Sequence, residues 1–151
     1  MRYSHRLSDA VHVLAYIDIY HDGNLSSTAI AASVESNPAL VRRLMVALRR
    51  AGLLTTQQGT AQPRLTRDPA AISLLDVYQA VEEDGRLLHV DDKTNLQCIV
   101  GRNIQETLRT AYDEVQQAAE AKMARITLAS LIKTIWTREH EKRAAEEDSS
   151  R

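Results

Sequence analysis

Leu7, Ala10, Val11, Leu14 and Ile17 recur at the three-and-four spacing of one helical face, which predicts a helix over residues 4–21. A second stripe on the same helix carries His5, Asp9, His12 and Tyr16, and His21-Asp22-Gly23-Asn24 supplies the turn that ends it. Ser26 is placed to cap a short helix of small residues through Ala32, followed by a turn at Val34-Glu35-Ser36. Asn37-Pro38 is a strong start signal, because Asn caps free amides and Pro is pre-shaped for the first helical position. The helix it opens runs to about Ala51, buries Val41, Leu44, Leu48 and Ala51, and is closed by Gly52. Leu53–Gln57 and Arg64–Thr66 then read as two strands of a hairpin, joined through Gln58–Pro63.

Asp68-Pro69 repeats the cap-then-proline signal and predicts a helix through Ile72, Leu75, Tyr78 and Val81. Glu82–Thr94 is acidic, polar and without periodicity, the pattern of a loop. A long helix follows from about Val100, with Ile104, Leu108, Ala111, Val115, Ala119, Met123 and Ile126 on one narrow stripe. Thr127 caps a last helix holding Leu128, Leu131, Ile132 and Ile135, and the charge-rich stretch after Trp136 reads as a fraying end. The order helix, helix, turn, helix, hairpin, helix is that of a winged helix-turn-helix. The fold class is therefore mainly α: a winged helix-turn-helix with a two-stranded wing, plus a long C-terminal dimerisation helix.

Composition narrows this only a little. Hydrophobic residues make up 44% of the 151, enough for a core, while five glycines and three prolines leave small scope for a many-stranded sheet. No apolar run approaches the roughly 20 residues of a membrane span, and Met1–Arg6 leads into an amphipathic pattern without an apolar signal core. Cys98 is the single cysteine, which excludes an internal disulfide framework. The chain reads as cytoplasmic and unattached to membrane.

Charge changes the picture more. From Ser36 to Arg67 the chain carries Arg42, Arg43, Arg49, Arg50, Arg64 and Arg67 and no acid, so this window stands at +6 in a protein of net charge −1. A local positive field attracts phosphate whatever the overall pI. Arginine pairs on an exposed helix are commonly solvated decoration, but here they lie on the second helix of the helix-turn-helix and on the wing. The expected partner is double-stranded DNA. The Asn37–Ala51 helix would enter the major groove with Asn37, Ala39, Arg42 and Arg43 toward base edges, since arginine reads guanine through two hydrogen bonds. Arg49, Arg50 and Arg64 are candidates for phosphate, and Ser26, Ser27 and Thr28 present hydroxyls and amides at a helix start for the same purpose. The stripe Ile104, Leu108, Ala111, Val115, Ala119 and Met123 has nothing in its own module to cover it, so packing against a twin in a homodimer is the economical solution.

These segments resemble a family. Ser4–Leu14, Ile30-Ala31, Asn37-Pro38-Ala39-Leu40-Val41-Arg42-Arg43-Leu44 with Ala51-Gly52-Leu53, Ile72–Glu82 and Cys98–Ile104 together resemble the Rrf-two-type bacterial transcription regulators, the group that includes IscR, NsrR and CymR. The likeness spans residues 1 to about 132 and points to the YwnA-like branch. It implies a homodimeric winged-helix repressor with a palindrome-like operator and a dimerising long helix. Two departures stand out. Ala61-Gln62-Pro63 replaces the family's Gly-Gly-Tyr wing turn, which puts the wing's minor-groove contact in question. The cluster-binding members use three closely spaced cysteines; here Cys98 stands with Asp92 and Ile104 at the partner spacings. A three-cysteine iron–sulfur site cannot be built, and no cofactor is expected.

Asp9 and His12, three apart on one helical face, could join the partner's Cys98 as non-cysteine cluster ligands, but an ordinary histidine bonded within its own subunit is the simpler reading of His12. Cys98 has two readings: a redox or electrophile sensor activated by a lowered pKa, or an inert cysteine buried beneath the long helix. His89 lacks spaced metal-ligand partners. An enzyme is not expected, because no phosphate-cradling glycine loop or helical His-Glu-x-x-His pair is present. The rival to DNA is a winged-helix protein–protein module, its arginine face on an acidic partner. The chain divides, on this reading, into a winged helix-turn-helix over 1–84, a loop and candidate sensor region over 85–99, the dimerisation and final helices over 100–140, and a charged tail over 141–151. The operator and the effector are not legible.

Overall fold

The computed structural model of the chain describes residues 4–56 and 62–151. Among them run six α-helices: α1 (Arg6–Ile19), α2 (Ser27–Val34), α3 (Pro38–Arg50), α4 (Leu74–Val81), α5 (Ile99–Met123) and α6 (Leu128–Ser149). Between α3 and α4 lie two strands, β1 (Leu54–Thr56) and β2 (Pro63–Leu65), paired antiparallel with Leu54 opposite Leu65, Thr55 opposite Arg64 and Thr56 opposite Pro63. Gln57 and most of the wing turn, Gln58–Ala61, fall outside the described residues, as does Met1–Tyr3.

Helix α1 is the axis of the core. It buries Ala10, Val13, Leu14, Ala15 and Ile17, a wider face than the single stripe expected, because it packs on α2, α3, α4 and α6 together. Leu7 and Val11, expected inside, are only half-buried. Leu14 is fully enclosed, so truncation to Ala costs about 2–5 kcal/mol. Onto this axis α3 lays Val41, Leu44, Met45 and Leu48, α4 lays Val77 and Val81, and α6 lays Leu128 and Ile132.

The helix-turn-helix forms as its local signals direct. Ser26 Oγ accepts the Ala29 N–H at 3.2 Å to cap α2, and Asn37 Oδ1 accepts the Leu40 N–H at 2.8 Å to cap α3 behind Pro38. Between them Glu35 turns the chain with φ 57°, a left-handed conformation that strains a side-chain-bearing residue by roughly 1–2 kcal/mol. Gly52, at φ 76°, ends α3 without that strain, and Leu53 N–H closes the motif on Leu48 C=O at 2.9 Å.

Two expectations are corrected. Asp68-Pro69 does not open the helix that runs through Val81: Asp68 caps only a single 3-10 turn, Pro69–Ala71, and α4 starts afresh at a capping box between Ser73 and Asp76. Tertiary pairing forces the interruption. Ile72 is extended, its C=O accepting Leu128 N–H at 2.8 Å, while Leu74 N–H donates to Ile126 C=O at 2.8 Å, so the α5–α6 elbow is stitched to the start of α4. Second, α6 does not fray after Trp136 but continues to Ser149, passing through the boundary drawn at residue 140. The reason is local: no Gly or Pro interrupts the stretch, Ala144-Ala145 favour helix, and Glu139 accepts from Arg143 at 2.6 Å one turn on. Among the described residues no helix is long and apolar enough to cross a membrane.

Candidate nucleic-acid interface

With Val41, Leu44, Met45 and Leu48 turned inward, α3 presents Ala39, Arg42, Arg43, Val46, Arg49 and Arg50 outward. Ala39, Arg42, Arg43, Val46, Ala47 and Arg50 line an open groove, and one residue from another helix, Arg6, lines it with them. Arg42, Arg43 and Arg50 make no hydrogen bond or ion pair with any of the described residues. Positively charged guanidiniums without an internal partner, beside two small apolar side chains, form a surface able to meet both phosphate and base edges.

The other sequence candidates are held differently. Asn37 is exposed at the start of α3, but its Oδ1 is spent on the helix cap, which leaves the amide nitrogen for an external partner. Ser26 likewise spends an oxygen lone pair on the Ala29 N–H and keeps its hydroxyl proton, while Thr28 beside it is exposed and Ser27 half-buried. Arg49 is braced between helix and wing, donating to Met45 C=O at 3.5 Å and to Thr56 Oγ1 at 3.4 Å. Arg64 is exposed on β2 opposite Thr55, away from the α3 groove, in a hollow shared with Ile17, Asp18, His21, Pro63 and Leu65. Arg67 does not join the basic face: its Nη2 lies 3.5 Å from Asp76. Pro63, expected in the turn, instead opens β2 and is buried; the first residue of a strand is a position that tolerates a missing N–H.

Two residues that matter escaped the sequence reading. Arg6, which carries no signal of its own in the sequence, donates its Nε–H to Val81 C=O at 2.7 Å, and its Nη1 lies 3.9 Å from Glu83. Gln116 is the buried residue of α5: its Oε1 accepts Leu87 N–H at 3.0 Å and its Nε2 donates to Gly85 C=O at 2.7 Å. With the Arg86–Asp113 pair alongside, it pins the acidic loop onto the long helix. Farther on, Gln105 donates to Thr94 Oγ1 at 2.8 Å, and Thr94 in turn donates to Gly101 C=O at 2.5 Å. The loop is irregular, as its composition indicates, but it is tied down along its length.

Along α5 the stripe residues Ala111 and Val115 are exposed, Val115 to 48%, while Ile104, Leu108, Ala119 and Met123 are half-buried. Cys98 stands at the start of α5 and is exposed, not buried beneath the helix. Its thiol is drawn below the ordinary cysteine value by hydrogen bonds from the backbone of Gly101 and then Val100. His12 is bonded within its own subunit, Nε2 to Ser33 Oγ at 2.8 Å. Among the described residues, no three His, Cys, Asp or Glu side chains of the chain come together in a way that could hold a metal ion; Asp9, His12 and Cys98 do not form such a group.

Comparison with known proteins gives three findings. A family model described as Rrf2, iron-dependent transcriptional regulator, matches residues 3–134. YwnA of Bacillus subtilis (strain 168), itself provisionally assigned as a helix-turn-helix transcriptional regulator, is 39% identical over 127 residues, covering 84% of this chain and 94% of that protein. Among solved structures, a protein provisionally identified as DNA-binding is 38% identical with a TM-score of 0.69, covering 84% of this chain and 98% of its own. T. potens IscR, at 20% identity, shares the fold with a TM-score of 0.65 over 89% of this chain and 88% of its own.

Proposed function

This chain belongs to the Rrf2 family of winged-helix transcriptional regulators, which are not enzymes, and from that premise we propose that it is a homodimeric repressor reading a palindrome-like operator through α3. The observation that carries the proposal is the outward face of α3, where Arg42, Arg43 and Arg50 find no partner among the described residues. In the complex α3 lies in the major groove. Arg42 and Arg43, one turn into the helix, read guanines. Asn37 and Ala39 line the entry, and the free amides of α2 with Ser26, Ser27 and Thr28 hold a phosphate. Arg49 and Arg50 take backbone phosphates at the far end and Arg64 takes another from the wing.

The stripe Ile104, Leu108, Ala111, Val115, Ala119 and Met123, exposed at Ala111 and Val115 and incompletely covered elsewhere, supports dimerisation through α5, which would set two copies of α3 about one helical turn of DNA apart, roughly 34 Å. The functional units are then the winged helix-turn-helix over 1–84, the sensor region over 85–99 and the two C-terminal helices from 100 on, with 141–151 as the charged end of α6, acting in the cytoplasm. The signal enters through the sensor region. An exposed Cys98 with a lowered thiol pKa favours, as a second reading, a thiol that responds to oxidants or electrophiles. The iron in the family's description finds no matching donor set among the described residues, so no step is assigned to it.

Fluorescence anisotropy on labelled upstream DNA of its own gene and on a scrambled duplex, across a salt series, tests the proposal. Tighter binding to the upstream fragment with a steep salt slope supports it. Arg42→Ala or Arg43→Ala then abolishes the preference, while Arg64→Ala weakens both duplexes evenly. Equal losses on both duplexes for all three variants refute base reading by Arg42 and Arg43. No binding at low salt directs the arginine face to an acidic protein instead.

A further inference from the structure

The groove along α3 is completed by a residue that the helix-turn-helix does not supply. Arg6 comes from the first turn of α1, and its side chain is half-exposed at the rim beside Arg42, Arg43 and Arg50. Its guanidinium is already oriented. The Nε–H is committed to Val81 C=O at 2.7 Å, which fixes the plane of the fork at the end of α4. Nη1 is 3.9 Å from Glu83 Oε1, too long for a formed hydrogen bond and close enough for attraction. The Glu83 side chain is 87% exposed, so it can swing away at little cost.

We propose that Arg6 is a further DNA-phosphate contact of the α3 face and that Glu83 is its intramolecular competitor. This deepens the DNA-binding reading and rests on it. A phosphate entering the groove meets an arginine preset by a backbone carbonyl, so little side-chain entropy is lost on binding. The same phosphate displaces a carboxylate held only by a long, solvated contact. Position makes the competition regulatory. Glu83 lies two residues before Gly85 and four before Leu87, whose backbone Gln116 grips from α5. Whatever moves the 85–87 segment on α5 carries Glu83 toward or away from Arg6, and so changes the positive charge offered to DNA beside α3. Among the described residues the Arg6–Glu83 pair joins α1 to the acidic segment, with a long Ser4 Oγ–H to Glu82 Oε1 contact at 3.5 Å beside it, so the coupling runs through this joint.

The test is a double-mutant cycle in the full-length protein, read by anisotropy on a labelled random-sequence duplex and on the upstream duplex across a salt series. Arg6→Gln lowers affinity for both duplexes alike and makes the logarithmic salt slope shallower by about one per bound protomer. Glu83→Gln, at an exposed position that cannot unfold the chain, tightens binding roughly threefold or more at low salt in the wild-type background and has no effect in the Arg6→Gln background. Arg6→Lys keeps the charge but loses the Val81 anchor, and falls between wild type and Arg6→Gln. An unchanged salt slope in Arg6→Gln overturns the proposal. So does a Glu83→Gln effect of equal size in both backgrounds, which is diffuse charge, or no effect in either. Failure of the underlying reading looks different: wild type itself then binds neither duplex, or Arg42→Ala behaves as wild type.

Discussion

Gln116→Met removes the one buried polar side chain of α5 while keeping its length and helix propensity. Two bonds are lost, Leu87 N–H to Oε1 at 3.0 Å and Nε2–H to Gly85 C=O at 2.7 Å, while the longer approach of Nε2 to the Tyr78 hydroxyl at 3.5 Å adds little. A neutral hydrogen bond contributes about 0.5–1.5 kcal/mol net, and a freed group that stays dry costs about 1–3 kcal/mol. Gly85 is half-buried and Leu87 exposed, so water reaches both freed groups and the lower figure applies. The expected loss is about 2 kcal/mol, which for a chain of this size is a fall in melting temperature of roughly 4–8 °C. The loss is local as well as global. Without Gln116 the 85–87 segment keeps, as its polar tie to α5, the exposed Arg86–Asp113 side-chain pair, so trypsin cuts after Arg86 and Lys93 faster than in wild type. Thermal circular dichroism and timed proteolysis read the two effects. A variant melting within a degree of wild type, with unchanged cleavage, refutes the assignment of Gln116 as the clamp of the acidic loop.

Other perturbations probe the remaining joints. Val115→Asp sets a charge in the middle of the exposed α5 stripe; it is expected to shift the protein from dimer to monomer in analytical ultracentrifugation while the circular dichroism of the monomer stays helical, and an unchanged sedimentation coefficient counts against dimerisation through α5. Because folding lowers the Cys98 pKa, the native thiol ionises at lower pH than the unfolded one: the pH of half-maximal iodoacetamide alkylation is expected to rise when the chain is unfolded in urea, and no rise contradicts the backbone donors of Gly101 and Val100. Glu35→Gly relieves the φ 57° strain but loosens the unfolded chain, for a net gain of about 0.5–1 kcal/mol in urea denaturation; destabilisation instead means that the Glu35 side chain makes a stabilising contribution in the turn.

What the sequence could and could not reveal follows the range of the interaction. Asn37-Pro38 with Gly52 marks both ends of α3 because capping is settled within five residues, and the inward set Val41, Leu44 and Leu48 comes from the same local periodicity. The false helix start at Asp68 had an equally good local signal. What overrules it is the pairing of Ile72 and Leu74 with the α5–α6 elbow more than fifty residues on, invisible to any window. Gln116 on a helix whose apolar residues form a stripe looks solvent-facing, and it is buried only because the loop folds back over it. The arginine face was half legible. Arg42 and Arg43 show themselves by sitting between inward positions, whereas the neutralisation of Arg67 by Asp76 and the arrival of Arg6 beside α3 depend on how α1 and α4 pack.

That partial legibility bears on how a protein of net charge −1 can bind DNA selectively. The window of +6 overstates the field the duplex meets, because Arg67 is paired with Asp76 and Glu83 stands beside Arg6 at the rim of the groove. Non-specific affinity rises with every phosphate neutralised, so trimming the free cations lowers binding to random sequence first. Base-edge contacts are untouched by that trimming, since a correct bidentate arginine–guanine pair is worth about 1–3 kcal/mol over a wrong base whatever surrounds it. On the proposed reading, the acidic remainder of the chain works in favour of selectivity. A more basic version of this face would hold DNA more tightly and distinguish its operator less well.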